Sequence, residues 1–160
     1  MRRVAIIICC VLSFACKDEE KKYVYQVQEV YVDSPGADKP NVKASTEYIS
    51  IAYADVFGKS ISSELLSELT TSYVSFGDVS VIEDLIIRNF LAHPDAKIPS
   101  NSTMRADIEL FVKDCYNQFY GREPNAQEVW YFKDKISSNS GLTPDVVYYI
   151  FLTSNEYRQF

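Results

Sequence analysis

The sequence predicts an all-α protein of about six helices, arranged as two related sets of three and preceded by an extended N-terminal segment. From residue 45 onward, apolar residues recur three and four positions apart, which is the spacing of one helix face. Glycine, proline or a Ser- and Asn-rich stretch interrupts that spacing wherever a helix is expected to end. Only residues 23–32 have the composition of a β-strand.

Residues 1–15 have the pattern of a secretory signal peptide. Arg2 and Arg3 precede an apolar run that reaches Leu12, and the next charged residue is Lys17. The run is too short to cross a bilayer as a stable helix, so we expect a signal that is removed after export.

The signal ends in Leu12-Ser13-Phe14-Ala15-Cys16. These residues resemble the lipobox of bacterial lipoproteins, which has Leu at the fourth position before the cysteine and a small residue directly before it. Phe14 departs from the small residue that is usual there. The resemblance implies cleavage before Cys16, a diacylglycerol on its thiol and a further acyl chain such as palmitate on its amine. An ordinary cleavable signal with an incidental cysteine is the alternative.

The next four residues, Lys17-Asp18-Glu19-Glu20, resemble the acidic export signal of Bacteroidetes-type lipoproteins. This resemblance implies a protein of the outer membrane, anchored by lipid on the cell surface. If the charges form only a solvated tether, the periplasmic face is the alternative.

Charge and cysteine content narrow the possible functions. Cleavage would remove two of the 16 basic residues and none of the 22 acidic ones, which lowers the net charge from −6 to −8. Such an acidic chain is a poor binder of nucleic acid, because phosphate contacts need a basic face. Cys9 and Cys10 leave with the signal and Cys16 carries lipid, so Cys115 is left without a disulfide partner.

Residues 16–44 are predicted to be a lipidated tether and linker. Residues 23–32, YVYQVQEVYV, have strong strand character, but a single strand cannot satisfy its own backbone hydrogen bonds. The segment therefore either pairs with a sheet edge of another chain or stays an extended tether, which is the interpretation we favour. Ser34-Pro35-Gly36 and Lys39-Pro40-Asn41 then indicate a linker.

Residues 45–160 are assigned to the helical domain. In its first set, Gly58 and Gly77 are expected to end the first two helices, and His93-Pro94 the third. The apolar stripes of these helices are Tyr48, Ile51, Ala52 and Val56; Ile61, Leu65, Leu66, Leu69 and Tyr73; and Val79, Ile82, Leu85, Ile86 and Phe90.

The second set follows a loop at residues 96–102. Asn125 and Glu128 have the spacing of a capping box, and Thr143-Pro144 places proline at the first position of a helix. The stripes are Met104, Ile108, Phe111, Val112, Cys115 and Phe119; Val129, Trp130, Phe132 and Ile136; and Val146, Val147, Ile150 and Phe151. The place of Cys115 in its stripe predicts a buried structural thiol.

The two sets look like copies of each other. Residues 53–59, YADVFGK, align with residues 116–122, YNQFYGR. After small gaps, Gly77-Asp78 aligns with Gly141-Leu142, and residues 89–92 align with residues 150–153. We interpret residues 46–95 and 104–160 as repeats, with chance similarity between helical hairpins as the alternative.

A second family resemblance lies between Phe111 and Tyr157. This part contains Tyr120-Gly121-Arg122-Glu123-Pro124-Asn125, Trp130-Tyr131 and Phe151-Leu152-Thr153-Ser154-Asn155-Glu156-Tyr157. It resembles the small helical repeat of uncharacterised bacterial surface proteins that is related to phycobilisome linkers. The resemblance implies a helical fold and a role in assembly, with no catalytic residue. The first copy resembles the repeat only faintly, because Lys59 stands in place of Arg122 and Ile61 in place of Pro124.

The shared motif has a structural interpretation. Gly121 can end a helix in the left-handed conformation, and Pro124 can begin the next helix, with Asn125 as a capping residue. Arg122 can bind carbonyl groups of the turn or pair with Glu156.

The residue pattern of an enzyme, a metal site or a cofactor site is not found in the sequence. The single histidine, His93, is expected to cap carbonyl groups at a helix end. A Gly-rich phosphate loop, a Gly-x-Ser-x-Gly segment and a Cys-x-x-Cys-His segment are all lacking. Adjacent acids such as Glu83 and Asp84 diverge on a helix, so they do not form a catalytic pair.

The aromatic content favours a contact role. The chain has 12 Tyr, 9 Phe and 1 Trp, and neither Tyr148 with Tyr149 nor Trp130 with Tyr131 can face the same core. The sequence therefore predicts a non-enzymatic structural or adaptor lipoprotein, an accessory subunit of an outer-membrane assembly for secretion, motility or uptake. A surface glycan-binding lipoprotein that uses exposed aromatic residues is the alternative.

Overall fold

The computed structural model describes residues 42–75 and 78–159. The predicted signal peptide, Cys16, the strand-like residues 23–32 and Gly77 lie outside these ranges. The described residues are predominantly helical, which confirms the predicted all-α class. In chain order their helices are α1 (Ser45–Phe57), α2 (Ser63–Ser75), α3 (Val79–Ala92), α4 (Asn101–Ala106), α5 (Ile108–Tyr120), α6 (Ala126–Ser138), α7 (Pro144–Leu152) and α8 (Asn155–Arg158).

Helices α1, α2 and α3 form the first set, in which each helix packs against the other two. At the start of α1, the Glu47 carboxylate accepts the N–H of Ala44 at 2.9 Å. The helix ends at Gly58, whose φ of +65° is the left-handed conformation that glycine adopts without strain. Asp78 caps α3 by accepting the N–H of Ser80 at 3.0 Å. The predicted helix ends at Gly58 and before His93 are confirmed.

Helix α5 packs against both α6 and α7 in the second set. The continuous helix predicted from Met104 onward is wrong, because Asp107 interrupts it with φ −146° and ψ 88°. The Asp107 side chain accepts the N–H of Leu110 at 3.0 Å and thereby caps α5. An aspartate whose side chain binds the backbone in this way favours a helix start over a helix interior. The residues before it form the short helix α4, capped by Ser100.

The short helix α8 was not predicted from the sequence. Ser154 caps it by accepting the N–H of Tyr157 at 3.1 Å. Directly after α8, Gln159 forms an isolated antiparallel bridge with Val42, and the N–H of Lys43 donates to the Arg158 carbonyl at 2.8 Å. The two ends of the described chain therefore lie side by side.

The two sets share one hydrophobic cluster. Phe151 of α7 is fully buried in it and contacts the rings of Tyr116 at 5.0 Å and Phe132 at 5.1 Å between centroids. Helix α3 packs against α7 and so connects the first set to the second.

The buried faces of α3 and α7 differ from the predicted stripes. Four residues that the stripes assigned to the core are exposed, namely Val79, Leu85, Val146 and Ile150. The additional buried residues are Glu83, Ile87, Pro144, Tyr148 and Leu152. The physical reason is that α3 and α7 pack against each other as well as within their own sets, which turns the buried face of each helix towards their common contact.

The helices of the two sets have corresponding bounds. Helices α1 and α5, and likewise α2 and α6, are each 13 residues long and begin 63 residues apart. In α3 and α7 the buried positions Ile82, Ile86 and Ile87 correspond to Val147, Phe151 and Leu152, each 65 residues later. The register of this third helix differs from the sequence alignment above. The duplication itself stays a hypothesis.

Candidate functional site

The Gly-Arg-Glu-Pro-Asn motif lies between α5 and α6 and faces α8. The Arg122 guanidinium donates from Nε and Nη2 to the two oxygens of Glu156, at 2.6 and 2.9 Å. On its other side, Nη2 and Nη1 donate to the two oxygens of Glu128, at 2.7 and 3.0 Å. Nη1 also donates to the Glu123 carbonyl at 3.2 Å. The five N–H bonds of the guanidinium group therefore all have acceptors.

The hydrogen bonds of this cluster favour the charged forms of Arg122 and Glu128. Burial opposes ionisation of Glu128, but hydrogen bonds from Arg122 and from the backbone of Asn125 outweigh it, so the pKa of the carboxyl is lowered. Hydrogen bonds to Glu128 and Glu156 raise the pKa of Arg122 further above its ordinary value. The guanidinium also lies over the Tyr116 ring, 4.8 Å from its centroid.

The other motif residues shape the turn. Gly121 ends α5 with φ +67°, and the Asn125 side chain caps α6 by accepting the N–H groups of Gln127 and Glu128, both at 2.9 Å. The sequence predicted that Pro124 begins α6. This prediction is wrong, because Pro124 precedes the capping residue Asn125 and the helix begins at Ala126. The motif ties the α5–α6 turn to α8, which is a scaffolding role.

A second charged cluster, which the sequence did not reveal, lies between α2, α3 and α8. Glu83 of α3 is only 2% exposed and forms an ion pair with Arg158, and it accepts a hydrogen bond from the Tyr73 hydroxyl. The Arg158 guanidinium also lies over the Tyr48 ring, 4.9 Å from its centroid. Nothing local marks Glu83 as buried, since its neighbour Asp84 is also acidic and its partner lies 75 residues away.

A cleft of about 580 Å³ opens beside this cluster, where α3 meets α7. Tyr149 donates a hydrogen bond to Asp84 at 2.5 Å, and Arg88 donates to the same carboxylate at 2.8 and 3.0 Å. These hydrogen bonds, that of Arg88 first, lower the pKa of Asp84. Burial raises the pKa of Tyr48, also in the cleft, to about 12. The carboxylates of Glu83 and Asp84 are thus engaged by neighbouring side chains.

Within the described ranges, the two most exposed aromatic residues are neighbours on α6. Trp130 is 68% exposed and Tyr131 51%, so the assignment of Trp130 to a core stripe is wrong. Charged residues follow them along α6. Glu109 of α5 binds Lys113 at 3.4 Å and Lys133 of α6 at 3.8 Å. Lys135 lies 5.6 Å from the centroid of the Tyr131 ring and pairs with Asp134. We call Trp130, Tyr131 and these charged residues the aromatic face.

The two residues with nucleophilic or metal-binding chemistry have structural surroundings. Cys115 is buried as predicted, and burial raises the pKa of its thiol. His93 accepts the N–H of Asp95 at its Nδ1, 3.1 Å away, and packs edge-on against the Phe57 ring. The imidazole therefore stabilises the turn after α3 through this bond rather than by binding helix carbonyls. Within the described ranges, three or more His, Cys, Asp and Glu side chains do not gather into a group that could hold a metal ion.

Among the helices of residues 42–75 and 78–159, none has both the length and the apolar character that crossing a bilayer requires. Comparison with protein-family models, curated proteins and solved structures gave no match to the chain.

Proposed function

We propose that this protein is a non-enzymatic adaptor lipoprotein, anchored to the outer membrane by lipid on Cys16 and exposed on the cell surface. It serves as an accessory subunit of an outer-membrane assembly for secretion, motility or uptake. The observation that carries the adaptor role is the aromatic face of α6. The lipid anchor and the location rest on the lipobox-like and acidic residues at the start of the chain.

The composition of the aromatic face is that of a protein-binding surface. Trp130 leaves more than two thirds of its surface to solvent although its indole ring is the largest apolar side chain available. Lys133, three residues further along α6 and so on the same helix face, pairs with Glu109 of α5, which provides charges of both signs on this part of the surface. A central aromatic anchor inside a charged rim is the arrangement in which a few residues supply most of the binding energy.

The geometry supports a protein partner over a glycan. Successive residues on a helix project about 100° apart, so Trp130 and Tyr131 cannot present a coplanar row of rings to a sugar chain. The exposed indole itself is the feature that favours the glycan alternative, because a single ring can still stack on one sugar.

The test is an affinity purification of the C-terminally tagged protein from native membranes in mild detergent, with mass spectrometry as the readout. We expect one outer-membrane protein to co-purify in stoichiometric amount with the wild type. The same protein should be absent when the Trp130→Ala variant is purified. Val74→Ala, at an exposed valine of α2, is the matched control and retains the partner. Cys16→Ala tests the anchor, because this variant should leave the membrane fraction.

Recovery of the wild-type protein alone would contradict the adaptor role. A glycan-array signal that Trp130→Ala abolishes would then establish the glycan-binding alternative.

A further inference from the structure

Helices α2 and α6 occupy corresponding places in the two sets, but different contacts hold them there. Both helices are 13 residues long, and their starts lie 63 residues apart. Each packs against the first long helix of its own set, α2 against α1 and α6 against α5. Helix α6 is therefore a reference within the same molecule for how firmly α2 is held.

Two arginine side chains fix the ends of α6. Arg122 binds Glu128 in the first turn of the helix, at 2.7 and 3.0 Å. At the other end, Nη1 of Arg105 in α4 donates to the Ile136 carbonyl at 2.7 Å. Its Nη2 donates to three carbonyl groups that follow α6 in the chain, at 2.9–3.2 Å. Hydrogen bonds from a charged donor are stronger than neutral ones, so both ends of α6 are firmly attached.

The first set has other residues in the places of these two arginines. Lys59 and Val42 stand 63 residues before Arg122 and Arg105. Among the described residues, neither side chain donates a hydrogen bond to α2. In the same ranges, a single side-chain hydrogen bond joins α2 to another helix, and it runs from the Tyr73 hydroxyl to Glu83.

The buried side of α2 is also smaller than that of α6. Phe132 and Ile136 of α6 are both buried. The corresponding residues of α2 are Leu69, which is only half-buried, and Tyr73, which is buried. A groove of about 340 Å³ lies where Leu66 of α2 meets α1. Burial of apolar surface therefore stabilises α2 less than it stabilises α6.

The second half of α2 is rich in residues that are unfavourable inside a helix. Four hydroxyl groups donate back to the carbonyl four residues earlier, at 2.7–3.1 Å, and they belong to Thr70, Thr71, Ser72 and Ser75. Serine and threonine favour helix interiors less than alanine does, partly because of such bonds. This half of the helix therefore depends on its packing against the rest of the set.

We propose that α2 is a detachable helix, which opens from α1 and α3 while the rest of the helical domain stays folded. Opening uncovers the faces of α1 and α3 on which α2 packs. The buried Glu83 stays paired when Tyr73 leaves, because its ion pair with Arg158 does not involve α2. Segments that open separately are those from which a fold draws its switching elements. The proposal is independent of the adaptor role, since it does not involve the aromatic face.

The test is hydrogen exchange of the full-length tagged protein, purified from native membranes in mild detergent, with mass spectrometry of peptic peptides as the readout. After correction for intrinsic rates, we expect the amide groups of α2 to exchange on the order of 100-fold faster than those of α6. Low concentrations of urea should change α2 exchange little, because opening one helix exposes a small part of the surface that global unfolding exposes. Equal exchange of the two helices would overturn the proposal, as would a urea dependence of α2 as steep as that of global unfolding.

Two variants at corresponding positions provide the second measurement. Arg122→Ala should speed the exchange of α6 by about 30-fold, because it removes a charged donor, and should leave that of α2 unchanged. Lys59→Ala, at an exposed residue, is the matched control and should leave both helices unchanged. If Arg122→Ala sped both helices equally, α2 would open only together with the whole domain and the proposal would be wrong. Faster exchange of α2 in Lys59→Ala would also contradict it, because this side chain would then hold the helix.

Discussion

The guanidinium of Arg122 and the carboxylate of Glu156 form a bidentate pair that joins the α5–α6 turn to α8, with hydrogen bonds of 2.6 and 2.9 Å. Less than a third of either side chain is exposed, so solvent screens the pair less than it would an ordinary surface ion pair.

We expect Arg122→Ala to lower the free energy of unfolding by about 2–3 kcal/mol, since it removes the guanidinium donor of both carboxylates and leaves Glu128 with only the Asn125 N–H. Glu156→Ala should cost less. Because the two residues interact directly, the double variant should cost less than the sum of the single variants. Urea denaturation of the three variants measures these free energies of unfolding. Strictly additive losses would contradict a direct interaction between Arg122 and Glu156. Arg122→Lys should recover little stability, because a lysine cannot bind two carboxylates in bidentate fashion.

The lowered pKa of Glu128 predicts a loss of stability in acid. Its folded pKa lies below the unfolded value of about 4.3, so its contribution is complete above that pH and is lost as the pH falls through the folded pKa. Glu128→Gln should therefore be less stable than the wild type at neutral pH, with the difference narrowing in acid. Thermal melts across this range test the prediction. The exposed Glu68→Gln is the control, and a similar narrowing there would point to a nonspecific charge effect.

The buried Glu83 predicts a large effect of substitution. Removing one partner of a buried ion pair leaves the other charge uncompensated, so Glu83→Ala should cost about 3–5 kcal/mol. Guanidinium denaturation measures this cost, and Glu68→Ala, at an exposed residue of α2, is the comparison. A Glu83 variant as stable as the comparison would mean that the carboxylate is not held by Arg158 and Tyr73.

Because Gly121 has the left-handed conformation, its replacement should change the stability through backbone strain alone. A Cβ added there would meet nothing within 4 Å, so Gly121→Ala should cost about 1–2 kcal/mol through its positive φ. Gly121→Asn should cost less, because asparagine tolerates this conformation. Denaturant midpoints distinguish the two variants, and equal stabilities of wild type and Gly121→Ala would be inconsistent with the φ of +67°.

Burial of Cys115 predicts an unreactive thiol. Because burial also raises the pKa of this thiol, Ellman's reagent should react with it only after unfolding. Replacing Cys9, Cys10 and Cys16 by alanine leaves Cys115 as the one cysteine of the chain in the assay. Rapid labelling of the native protein would show that the thiol is accessible.

Local chemistry explains what could be predicted from the sequence. The end of α1 at Gly58, the end of α5 at Gly121 and the capping of α6 by Asn125 involve atoms no more than four residues apart. The spacing of apolar residues on α5 was likewise sufficient to place Cys115 in the core. The sequence did not predict the helix break at Asp107, because apolar residues recur at helical spacing both before and after this capping residue.

By itself, the sequence determined the helical class and several helix ends, since these depend on backbone conformation and hydrogen bonds within a single turn. Only the tertiary structure decided which faces of α3 and α7 are buried, because each helix packs against a partner more than 50 residues away as well as within its own set. The same holds for Glu83, whose burial depends on Arg158 at the far end of the chain. A carboxylate is stable in a core only beside such a partner, and chain topology, not local sequence, places the partner there.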